Sequence, residues 1–149
     1  MSFKNSRSNA HSVFKSSVLP ALEAKGFTQI ETDLPVDGFA VGLHGSEADF
    51  VDIVPINAVE LGINLIWVRE GEGQYWQFEA FDRIQDFVDV VDALGLRLRL
   101  RDWGDRRDVP GPGYMAPSEL TEFLSTLGFK VEPDGNRVRV PRSEEIASA

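Results

Sequence analysis

Apolar residues change their period several times along this chain, and each change marks an element. Val13, Phe14, Val18 and Leu22 recur at helical spacing, which predicts a helix from about Asn9. Pro20 should kink or break it, because proline lacks a backbone donor and crowds the carbonyl four residues back. Between residues 28 and 80 the pattern becomes β-branched and aromatic. "FAVGL" (39–43), "ADFVDIVPI" (48–56), "LGINLIWV" (61–68) and "QYWQFEAF" (74–81) are each predicted to be strands. "HGSEAD" (44–49) and "REGEG" (69–73) are the expected hairpin connections, so the four strands form an antiparallel meander.

In "DRIQDFVDVVDALG" (82–95), Ile84, Phe87, Val88, Val91 and Leu94 gather on one helical face, with Asp82, Asp86 and Asp89 on the opposite one. Asp82 is the expected N-cap. "LRLRLRDW" (96–103) alternates strictly and predicts a half-buried strand with its leucines inward. Residues 104–117 hold three prolines and three glycines and must be a loop. Ser118 then reads as an N-cap for a helix with Leu120, Phe123, Leu124 and Leu127 as its apolar stripe. A hairpin around Pro133-Asp134-Gly135 follows.

Gly26, Gly95 and Gly128 each follow a helical pattern and precede a bulky apolar residue that opens an extended segment. This recurrence is a way of leaving a helix, since glycine takes positive φ at little cost. No phosphate-binding or dinucleotide pattern surrounds any of the three.

The predicted order is α–ββββ–α–β–loop–α–ββ. Strands in succession with helices between and beside them indicate an α+β fold, with a mostly antiparallel sheet carrying three helices. Residues 9–140 form the expected single domain, with flexible tails at 1–8 and 141–149. At 149 residues the chain suits one domain with a sizeable core. The absence of cysteine excludes disulfides and thiolate metal sites. No segment has the length and apolar character of a signal peptide or a membrane span, so a cytoplasmic protein with no membrane partner is expected.

Charge changes the picture more than composition does. The net charge is -9, unevenly spread. Residues 31–95 carry Arg69 and Arg83 against fourteen carboxylates, a balance of -12. Such a segment repels nucleic acid and attracts cationic surfaces. The Asp82, Asp86 and Asp89 face is therefore a candidate contact for a basic protein partner. Trp103, Tyr114 and Met115, in or beside the proline-glycine loop, form a second candidate contact, since interface cores favour aromatic residues and methionine. Arg97, Arg99 and Arg101 share one face of their strand, and Arg137 and Arg139 share one face of theirs. If the two strands were neighbours, the five guanidiniums would form a patch fit for phosphate.

Catalytic chemistry finds little footing. His44 stands near Ser46, Glu47 and Asp49, but residues so close in one short loop rarely form a nucleophile, base and orienting acid. Neither zinc-protease nor EF-hand spacing is present, and no metal or cofactor is expected.

The opening "VFKSSVLPALEAKGF" (13–27) has the form F-x-x-x-V-x-P-x-L-x-x-x-G-F. It resembles the start of a family of small bacterial domains of uncharacterised function that continue into an antiparallel sheet. The resemblance covers the first third to half of the chain and implies no catalytic residues. Such domains occur in toxin–immunity neighbourhoods, which implies a small acidic binder of the immunity or inhibitor kind. The alternatives are a structural subunit of a phage particle or other complex, contacting neighbours through residues 104–117, and a nucleic-acid-binding module using the arginine strands.

Overall fold

The computed structural model describes residues 10–32, 38–44, 46–68, 74–100 and 122–141. The chain is helical from residue 10 to residue 23, and the first helix neither breaks nor stops at Pro20. Residues Phe14–Val18 instead form a π-helical turn, in which the Leu19 N–H donates to the Phe14 carbonyl, and α1 continues as Leu19–Glu23. The wider turn is where the helix accommodates a residue that can neither donate nor tolerate a carbonyl beneath its ring.

The described residues hold seven strands: β1 (Thr28–Gln29), β2 (Phe39–His44), β3 (Ser46–Asn57), β4 (Glu60–Trp67), β5 (Arg97–Leu100), β6 (Lys130–Val131) and β7 (Arg137–Arg139). They form one sheet in the order β1-β2-β3-β4-β5-β7-β6. β4 and β5 pair in parallel, and every other described pair is antiparallel. The fold is α+β, as the pattern predicts.

Two elements differ from the sequence expectation. "QYWQFEAF" (74–81) is not a strand: it is the first part of α2, Gln74–Ala93, and Asp82 lies inside that helix rather than capping it. The four-strand meander exists nonetheless, because the short β1 supplies its first member. The expected loop at 44–49 is also largely strand, with His44 of β2 paired to Ser46 of β3. Asp49 is buried (1% exposed) within β3. Neither the connection at 69–73 nor the predicted loop at 104–117 falls among the described residues. The third helix is described over residues 122–125 and is called α3 here.

The helix exits behave as the glycine pattern implies. Gly26, Gly95 and Gly128 have φ of 88°, 72° and 96°. After α1 the Phe27 N–H donates to the Leu22 carbonyl, and after α2 the Leu96 N–H donates to the Val91 carbonyl. These are the six-to-one bonds of a Schellman cap. Phe27, Leu96 and Phe129, the residues following the three glycines, are all buried.

Register assigns the faces of the sheet. Directly opposed residues share a face. Val41 faces Val51, Val51 faces Ile66, Leu61 faces Leu98 and Ile63 faces Leu100, giving one apolar surface. The helices cover it: Phe14 stacks on Phe39 with centroids 4.7 Å apart, Phe27 meets Phe87 edge-on at 6.2 Å, and Phe81 of α2 stacks on Phe123 of α3 at 4.1 Å. The described helices include none long and apolar enough to cross a membrane.

Candidate functional site

Asp82, Asp86 and Asp89 are exposed on α2, as expected. Among the described side chains, not every carboxylate of residues 31–95 reaches the surface. Of the other carboxylates in residues 31–95 whose side chains are described, Asp49, Asp52 and Glu60 are buried, Asp92 is paired with Arg139 at 3.0 Å, and Glu31 is exposed. Asp52 accepts hydrogen bonds from the Gly38 N–H and the Asn64 side-chain amide, both at 2.9 Å. Glu60 accepts one from Arg99 Nε at 2.9 Å. Three of the segment's fourteen carboxylates are thus taken up inside the fold, where each buried carboxylate must be hydrogen-bonded.

What the fold adds to the aspartates is a groove. The ends of α1 and α2 leave a cavity of about 650 Å³ between them. Its apolar lining comes from Ala21 and Ala24 on one side and Val90, Ala93 and Leu94 on the other, while Asp86 and Asp89 supply carboxylates and Lys25 and Arg83 supply cations. Leu94 is 38% exposed. Small alanines on both sides keep the valley open, and the helical repeat of three to four residues puts Asp86, Asp89, Val90 and Ala93 in one stripe along α2.

Arg83 fixes this geometry. Its Nε donates to the Leu43 carbonyl at 2.6 Å, Nη2 to the Lys25 carbonyl at 2.9 Å and Nη1 to Asp86 at 3.0 Å. Its guanidinium also lies 4.0 Å from the centroid of the Phe27 ring. One side chain therefore ties α2 to the end of α1 and to β2, and sets the position of Asp86. Gln85 holds Asp89 in the same way, through a 3.1 Å hydrogen bond. Sequence reasoning passed over Arg83, although one of two basic residues in a segment with fourteen carboxylates was a signal to follow.

The arginine strands are neighbours, but they do not make a five-guanidinium patch. Leu98 faces Arg139, Leu100 faces Arg137 and Arg99 faces Val138. Arg137 and Arg139 therefore share the leucine face, while Arg97 and Arg99 lie on the other. Two of the arginines are also occupied by carboxylates. Arg99 is paired with Glu60 and lies 3.7 Å from Asp134. Arg139 is paired with Asp92 and donates through Nε to the Leu127 carbonyl at the end of α3. Arg101, Trp103, Tyr114 and Met115 lie outside the described residues. No group of three or more His, Asp or Glu side chains among the described residues could hold a metal ion.

Compared with known protein families, with curated proteins and with solved structures, the chain matches none.

Proposed function

We propose that the chain is a non-catalytic binding protein that holds a basic protein partner in the groove between α1 and α2, in the manner of an immunity protein or inhibitor. The observation that carries this reading is the pairing of an apolar groove with fixed carboxylates: Ala21, Ala24, Val90, Ala93 and Leu94 form the apolar part, and Asp86 and Asp89 are each held by a neighbouring side chain. Such a site selects a segment that offers aliphatic surface to the valley and a lysine or arginine to Asp89, since Arg83 already pairs with Asp86. The apolar contact supplies affinity, and the carboxylates supply orientation and a faster, salt-sensitive encounter.

Affinity purification from the native host tests this reading, with the wild-type chain, Leu94→Asp and the double variant Asp86→Lys/Asp89→Lys run in parallel. The expected result is a basic protein that binds the wild-type chain directly when both are purified. It should associate more slowly at high salt and be lost from both variants. A partner that is acidic, insensitive to salt or retained by both variants would refute the reading.

A further inference from the structure

The face of the sheet away from α1 and α2 carries a second concavity, unrelated to the groove. Val54 faces Gly62 and Gly62 faces Arg99, so the three stand on one face. Over them opens a hollow of about 250 Å³, with Val54, Ile56 and Ile63 as its apolar lining and Asn64, Arg99 and Asn136 as its polar groups. Gly62 helps to keep it open. A Cβ at that position would stand 2.9 Å from the Val54 carbonyl oxygen and 3.3 Å from Ile56 Cδ1.

The polar groups are positioned rather than loose. Arg99 is anchored through Nε to Glu60, a largely buried carboxylate, with Asp134 3.7 Å from its Nη1. Asn64 donates to the fully buried Asp52, and Asn136 donates to Asp134 through both its backbone N–H and its side chain. Two carboxylates against one guanidinium leave no net attraction for an anion. Beside these ion pairs, the Arg99 guanidinium has a flat face, which stacks on rings. The neighbouring side-chain amides carry both donors and acceptors. We propose that this hollow binds a small, uncharged, planar ring with a polar edge, such as a free heteroaromatic base, stacked on Arg99 above Val54 and Ile56.

An NMR titration of the full chain with adenine and indole as uncharged rings, and benzoate as the anionic counterpart, tests this. Adenine or indole is expected to shift the methyl signals of Val54 and Ile56 and the Nε signal of Arg99, while benzoate leaves them in place. Arg99→Lys keeps the charge but removes the flat face, and should weaken binding about tenfold, the loss of one stacking contact. Ile56→Asp, at a position 37% exposed, should weaken it without unfolding the chain, and decides the matter if Arg99→Lys does not fold. The proposal is overturned if neither ring moves these signals, if benzoate moves them equally, or if binding survives Ile56→Asp unchanged.

Discussion

Beneath α1 and α2 the sheet presents Val41, Val51, Ile53, Ile63, Leu98 and Leu100, all close to fully buried. Its other face sets Asp52, Glu60 and Arg99 among apolar neighbours. The first surface is held by burial, which is graded and forgiving of direction. The second is held by pairing, in which removing one partner strands the other in a poorly solvated place. Different substitutions should therefore break the two faces.

Phe14→Ala, on the helix that covers the apolar face, should cost the most, about 3–5 kcal/mol in a denaturant titration, because it empties a fully buried ring site. On the other face, Glu60→Ala should cost about 2–3 kcal/mol, below the range for a fully buried pair because Arg99 is a third exposed. The double variant Glu60→Ala/Arg99→Leu should recover part of that loss. An additive result would place the two faces on the same footing and break the comparison. Arg83→Met should cost about 2 kcal/mol, since it strips the Leu43 and Lys25 carbonyls of their charged donor. Gly95→Ala isolates backbone strain, because φ is 72° and an added Cβ meets no atom within 4 Å. A loss of about 1–2 kcal/mol by thermal melting is expected there.

The helix exits, the hairpin at 130–139 and the class of fold were legible in the sequence because each depends on local chemistry: glycine at positive φ, a Pro-Asp-Gly turn, an alternating strand. The error at 74–81 has a local cause too. Tyr75, Trp76, Phe78 and Phe81 favour strands by type, yet Tyr75, Phe78, Phe81, Ile84 and Val88 also recur at three or four residues, and the helical stripe won. The site was less legible. Alternation shows which arginines on one strand share a face, but only cross-strand register shows that Arg99 and Arg139 point to opposite sides. Nor does a carboxylate count distinguish Asp89, which faces water, from Asp52, which accepts from Gly38 and Asn64 inside the fold.

The π-helical turn has a consequence for phase. Ala10, Phe14, Val18 and Leu22 are all buried, and they stand four residues apart. On a regular α-helix each step of four overshoots a full rotation by about 40°, so three steps would carry Ala10 roughly a third of the way round from Leu22. A turn that takes in one more residue absorbs part of that drift and keeps the four side chains aimed at the sheet. On this reasoning the irregularity answers to burial as well as to Pro20. Pro20→Ala should therefore leave the Leu19 amide protected from hydrogen exchange by its bond to Phe14, and a newly exposed Leu19 amide would assign the wide turn to the proline alone.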